Sequence, residues 1–330
     1  MKSNTAALTC SLLGSAALLL AADAAAAQRD FPVGTEAVVT DNYPARQVSF
    51  PNGITGYPDV VYSVLPGFRP LVVDVYTRSG SGARRPLVLY IHGGGWNSGH
   101  TRHSGALANF PEALALLASE GFVVASLEYR LTNEAAFPAQ LQDARAALRF
   151  LKANAAKYGI DPSRAGVWGG SAGGHLAALT ALTCGENRFD PSPAPAGTEC
   201  VQAAVVWYGP FDFASMLERA PDGDNAMNAL LRCKPAECAK SLVADASPST
   251  HVDARDPPFL LIHGETDPVV PVAQSREAEK AFKAAGVPVE SIYIPGAAHS
   301  FITDTPAATR AATIQATNAT FDFFRKTLLK

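Results

Sequence analysis

The stretch Trp168-Gly169-Gly170-Ser171-Ala172-Gly173-Gly174 contains Gly-x-Ser-x-Gly at 169–173, with an apolar run on either side. A serine in such a string is thrust out of a sharp strand-to-helix turn as a nucleophile. The flanking glycines permit the turn because a Cβ there would strike neighbouring backbone. His92-Gly93-Gly94-Gly95-Trp96 follows a second apolar run, 87–91, and its three glycines leave backbone N–H groups bare. Facing the serine turn, those donors would hold an oxyanion. A phosphate loop is the alternative, but Ser98 takes the last position of the only Gly-x-Gly-x-x-Gly frame, and no Gly-Lys-Ser/Thr follows.

A serine nucleophile needs a base and an acid that orients it. Asp267 follows the apolar run 259–262, and His299 follows the run 291–294. The chain order Ser171, Asp267, His299 is that of α/β-hydrolases, with each residue on a loop after a strand. Glu265 competes as the acid because it is nearer the strand. A lone histidine is ordinarily a surface or satisfied core group, so the case for His299 rests on order and position. His92, His100 and His103 suggest a metal cluster, but no His-Glu-x-x-His occurs and structural roles fit better. Neither metal nor organic cofactor is implied. His92 is expected to brace the glycine loop, and His175 and His263 to satisfy backbone groups. Trp96 and Tyr208 either line an acyl pocket or pack in the core. Asn318-Ala319-Thr320 matches a glycosylation acceptor but falls in a terminal helix.

The elements needed to position these residues are readable. Continuous apolar strands are expected at 87–91, 122–125, 165–168, 201–207, 259–262 and 291–294. Helices are expected at 111–119, around 141–151, and at 172–183, 272–285 and 308–328. Strand and helix alternate through 87–328, which argues a mostly parallel sheet flanked by helices. Before it, Val38-Val39, Val48, Val60-Val61-Tyr62 and Leu71 to Tyr76 read as short antiparallel strands. Residues 185–250 carry the longest irregular connections, where a lid or substrate wall would sit.

The 330 residues are 48% hydrophobic and 17% charged with a net charge of -3, which excludes a disordered or polyelectrolyte chain and gives no electrostatic case for nucleic acid. Lys2, the apolar stretch Leu8 to Leu20 and the alanine run ending at Ala27 read as a secretory signal peptide over 1–27. An uncleaved anchor is the alternative. The mature domain would be 28–330, with no other run of about 18 apolar residues and hence no membrane span. After cleavage, Cys184, Cys200, Cys233 and Cys238 remain, an even number suited to an oxidising compartment. Three connectivities are open, and near-neighbour pairing, Cys184–Cys200 and Cys233–Cys238, is the expectation.

Over about 70–328 the chain resembles the hormone-sensitive-lipase-like and feruloyl-esterase-like branch of α/β-hydrolases. The resemblance is carried by His92 to Trp96, Tyr129-Arg130-Leu131, Phe137-Pro138-Ala139, Asp161 to Arg164, Gly170 to His175, Tyr208-Gly209-Pro210, His263-Gly264 with Asp267, and His299. It implies Ser171, Asp267 and His299 as nucleophile, acid and base, and the backbone of Gly94, Gly95 and Ala172 as oxyanion donors. Two departures matter. Gly170 stands where the lipase-like branch often has Asp, and Thr132-Asn133-Glu134 replaces Ala-Pro-Glu. Both favour the feruloyl- and acetyl-xylan-esterase-like side.

The resulting expectation is a secreted or periplasmic serine ester hydrolase acting on short-chain or aryl esters, free or borne on a polymer. A serine peptidase, an acyltransferase and a non-catalytic binding protein of the same fold stay open as alternatives.

Overall fold

The computed structural model describes residues 46–330 except 79, 81, 106, 192–196, 220–225 and 235. The expected signal segment 1–27 and the strand expected at Val38-Val39 lie outside the described residues. The strands are β1 (Val48–Phe50), β2 (Ile54–Ser63), β3 (Leu71–Arg78), β4 (Arg85–Ile91), β5 (Val123–Leu127), β6 (Ile160–Gly170), β7 (Ala203–Trp207), β8 (Phe259–Gly264) and β9 (Val289–Ile294). They form one sheet in the order β1-β2-β3-β5-β4-β6-β7-β8-β9. Contacts from β1 through β3 to β5 are antiparallel, and those from β5 to β9 are parallel. This is the α/β-hydrolase architecture, a mostly parallel sheet with antiparallel strands at its N-terminal edge.

Period-two alternation sends each parallel strand's side chains into two cores. Leu87, Leu89 and Ile91 of β4 enter one core, and Val88 and Tyr90 enter the other. The first core is covered by α2 (Ala139–Ala153), α4 (Ala172–Leu182) and α8 (Ala273–Ala285). The second is covered by α1 (Phe110–Ser119) and α9 (Pro306–Leu328). Both faces being dry explains the unbroken apolar runs. Every residue of α4 is buried, so its sequence shows no polar face.

Two expectations change. The strand expected at 165–168 extends over Ile160–Gly170, because Ile160 and Asp161 also pair with β4 across an irregularity at Pro86/Leu87. A proline is tolerated there because the ladder is already interrupted. The connection expected to be irregular, 185–250, instead carries α5 (Phe213–Glu218), α6 (Ala226–Leu231) and α7 (Lys240–Asp245), each too short to leave a helical period in the sequence. A one-turn helix, α3 (Ala155–Tyr158), precedes β6. The Cys184 and Cys200 sulfurs lie at disulfide distance with Cα atoms 4.9 Å apart. Those of Cys233 and Cys238 do likewise, with Cα atoms 5.2 Å apart. Beside the first pair, buried Arg145 bridges Asp190 at 3.0 Å and Glu199 at 2.9 Å.

Candidate active site

β4, β6, β8 and β9 end on the same side of the sheet, so the loops after them meet over its carboxyl edge, where parallel sheets build their sites. Ser171 sits between β6 and α4 with φ 55°, ψ -123°. That left-handed conformation is costly for a residue with a Cβ and persists only where its surroundings impose it. They do so by hydrogen bonds, since Ser171 N–H donates to Trp207 O at 2.9 Å and Ser171 O accepts from His175 N–H at 3.0 Å. Although Ser171 is the N-cap of α4, its side chain makes no capping bond. Its hydroxyl lies 3.0 Å from His299 Nε2. Trp96, Tyr208, Ser300 and Phe301 also have positive φ, so strained backbone surrounds the serine.

His299 Nδ1 lies 2.7 Å from Asp267 Oδ2. The other carboxylate oxygen accepts the backbone N–H groups of Val269 at 2.8 Å and Val270 at 2.9 Å. A further partner escaped the sequence reading. His263 Nε2 is 3.3 Å from Asp267 Oδ2 and 2.8 Å from Val270 O. The carbonyl can only accept, so Nε2 carries the hydrogen, and His263 Nδ1 lies 2.7 Å from Ser275 Oγ. The four-residue spacing of His263 and Asp267 was the available signal. Burial by itself raises the Asp267 pKa. Hydrogen bonds from His263 and His299, the His299 charge and the Val270 N–H outweigh it and hold the carboxyl well below its usual range. Glu265, the competing acid, turns away to Arg276 at 2.7 Å.

The glycine loop is braced from below. His92 Nδ1–H donates to Gly93 O at 2.7 Å, and its ring stacks on Tyr129 at 4.3 Å. Burial lowers the His92 pKa to about 4, so the ring is neutral at neutral pH. Trp96 donates through Nε1 to His175 Nδ1 at 3.2 Å, and His175 Nε2–H donates to Ala246 O at 2.7 Å. Buried His175, also lowered to about 4, thus ties the loop, α4 and the 185–250 wall together. A Cβ on Gly173 would overlap the Ile91 and His92 carbonyl oxygens, so only glycine lets the loop and the serine turn approach this closely. At Gly170, a Cβ would sit 3.1 Å from the Tyr208 ring, which would have to shift by a few tenths of an ångström to admit it.

Two hollows meet at Ser171. One, of 740 Å³, is lined by Gly93, Gly94 and Gly95 and by the polar Ser98, His100, His103, Tyr208 and Ser300. The other, of 370 Å³, is walled by Trp96, Pro210, Met216, Met227 and Val270, with Arg219 also in its lining, and includes Gly95 and Ala172. Ser171, Gly95 and Val269 border both. Trp96 and Tyr208 therefore flank the serine on opposite sides, each packing in the core as well. Met216 and Met227 escaped the sequence reading because their short helices did. His100 and His103 stand 6.1 Å apart in the larger hollow, and no group of three metal-ligating side chains occurs among the described residues. Asn318 is exposed on α9, but Thr320 is buried and accepts Trp207 Nε1–H at 2.9 Å.

Comparison with known proteins agrees with this architecture. The BD-FAE family model matches residues 73–282. LipM of Mycobacterium tuberculosis, a probable carboxylic ester hydrolase, is 34% identical over 66% of this chain and 49% of its own length. The esterase LipQ of the same organism is 32% identical over 74% of this chain and 56% of its own. The chain thus spans about half the length of the curated relatives it matches. A truncated carbohydrate esterase from gut microbiota superposes with a TM-score of 0.68 at 29% identity, covering 82% of this chain and 95% of that one. The Est2 esterase of Thermogutta terrifontis superposes with a TM-score of 0.65 at 25% identity, covering 81% of this chain and 90% of that one. With the family model covering well over half of its residues, the chain belongs to the BD-FAE family of α/β-hydrolase-fold proteins.

Proposed function

We propose that the protein is a serine carboxylic ester hydrolase that works through an acyl-enzyme. The observation that carries this reading is the unbroken relay from Ser171 Oγ through His299 to Asp267, with links of 3.0 and 2.7 Å. As Ser171 Oγ forms a bond to the ester carbon, its proton passes to His299 Nε2. The carbonyl electron pair moves onto oxygen, toward the Gly94, Gly95 and Ala172 backbone N–H groups and the N-terminus of α4. Each such donor is worth on the order of 10²–10³ in rate. Collapse of the adduct expels the alcohol, which takes the proton from His299 Nε2. Water then repeats the cycle and releases the acid. Asp267 keeps Nδ1 protonated and stabilises the imidazolium, while its own depressed pKa keeps it ionised.

The two hollows suggest how an ester is sorted. The hollow walled by Trp96, Met216 and Met227 suits a short aliphatic or aryl acyl group, and the larger one, where Ser98, His100, His103 and Ser300 offer hydrogen-bonding groups, a hydroxyl-rich alcohol such as a sugar. One structural neighbour is titled an acetyl ester-xyloside bifunctional hydrolase, from Caldicellulosiruptor lactoaceticus. That fits an acetyl- or feruloyl-type ester on a carbohydrate as the substrate class here. The cysteine pairs, together with the expected leader at 1–27, support a secreted or periplasmic setting. The test is Ser171→Ala assayed on p-nitrophenyl acetate. Turnover should vanish while the melting temperature holds, and undiminished activity would overturn the assignment.

A further inference from the structure

β4 has a second hollow at its other end. Its volume is 370 Å³, and it is framed by Gly80, Gly82 and Ala83, by α3 and by Gly159. Arg78, Arg84, Arg85 and Lys157 all line it, and no Asp or Glu does. The acids nearest in sequence are engaged elsewhere, Asp74 by Arg102 and Asp161 by Arg164, each at 2.8 Å. Arg78, Arg84 and Lys157 are exposed and have no carboxylate partner among the described residues. Burial, with the Arg78 charge added to it, pulls the Arg85 pKa down. Two aromatic rings complete the wall, Tyr57 and Tyr158, packed edge-on with centroids 5.9 Å apart. The Tyr158 hydroxyl is buried without a hydrogen-bond partner among the described residues.

Like charges gathered around a concavity are unfavourable until an anion enters. A flat basic patch would suit an extended surface, whereas this hollow is concave and of a size for one or two sugar rings. Half-buried Tyr57 offers a ring face of the kind against which a sugar packs. We propose that this hollow binds an anionic carbohydrate, with Arg78, Arg84, Arg85 and Lys157 receiving its carboxylate or phosphate and Tyr57 contacting its ring. The seven residues of β4 place the hollow roughly 20 Å from the glycine loop. Occupancy there leaves the Ser171 site open to a small ester, and the inference does not depend on the proposed hydrolysis.

The test is calorimetric titration of the purified protein with tetragalacturonate, glucose 6-phosphate, inorganic phosphate and neutral xylotetraose. One or both sugar anions should bind, and the two arms tell whether the carboxylate or the phosphate is preferred. Xylotetraose should not bind, and inorganic phosphate should bind at least about tenfold more weakly than the better sugar anion. The paired substitution Arg84→Gln and Lys157→Gln, on exposed side chains, should weaken binding by about tenfold or more. Raising salt to about 0.5 M should weaken it further. Hydrolysis of p-nitrophenyl acetate and the melting temperature should match the parent. The proposal fails if neither sugar anion binds at about 10 mM, if xylotetraose binds equally well, or if the double variant binds as tightly as the parent. Equal affinity for inorganic phosphate and the sugar anions would overturn the carbohydrate assignment.

Discussion

Asp267→Asn isolates the orienting role of the carboxylate because its two oxygens have separate duties. Oδ1 accepts the Val269 and Val270 N–H groups, and Oδ2 accepts His299 Nδ1–H. An asparagine must keep its oxygen toward the two backbone donors. Turned over, it would leave both N–H groups unmet at about 1–3 kcal/mol each. The amide NH₂ therefore faces His299 Nδ1, which must now accept, so the ring hydrogen moves to Nε2. A protonated Nε2 cannot take the Ser171 proton. The expected loss in kcat is about 10⁴-fold, equivalent to roughly 5 kcal/mol of barrier. The NH₂ also meets His263 Nε2–H, 3.3 Å from Oδ2 in the parent, so the melting temperature should drop by only a few degrees. Asp267→Ala should destabilise further, because it strips both backbone N–H groups of their acceptor. Steady-state hydrolysis of p-nitrophenyl acetate, alongside thermal unfolding of both variants, separates the effects. A kcat within about tenfold of the parent for Asp267→Asn, with the fold intact, would refute the tautomer argument.

Other consequences can be measured in the same way. Buried His92 and His175 have folded pKa values of about 4, below the unfolded value of 6.5. The unfolded chain thus binds more protons between those limits, and stability present above pH 6.5 declines as pH falls toward 4, by up to about 3 kcal/mol per histidine. Urea midpoints that stay flat from pH 7 to 4.5 would contradict this. Gly173→Ala must push apart the serine turn and the glycine loop. It should lower kcat by about 10²-fold while costing about 1–3 kcal/mol of stability, and unchanged turnover would refute the close-approach argument. Reducing the Cys184–Cys200 pair, which spans 16 positions, should cost about 3 kcal/mol, read as a lower urea midpoint after dithiothreitol. No shift would mean that the Arg145, Asp190 and Glu199 ion pairs hold this segment unaided.

The parallel half of the fold was legible because both faces of the sheet are covered. Dry strands such as β4 and β8 leave unbroken apolar runs, followed by the glycine loop and the Asp267 turn, whereas His299 follows the half-buried edge strand β9. What escaped the sequence reading depends on convergence in space. His263 looked like a backbone brace because its reach to Asp267 requires the turn after β8 to fold back on itself. Met216 and Met227 lie on six-residue helices, too brief for any period to emerge. The strand expected at 165–168 begins earlier, at Ile160, because its ladder with β4 continues on the far side of an irregularity that the apolar run does not span.

The carboxylate that aims the imidazole also pins the Val269 and Val270 amides, and Val269 borders both hollows, as Gly95 and Ser171 do. Substrate fit and proton handling therefore share a single fastening. An ester bulky enough to displace Val269 would drag Asp267 and slacken its hold on His299. Tolerance for large groups would then surface as slower turnover rather than weaker attachment.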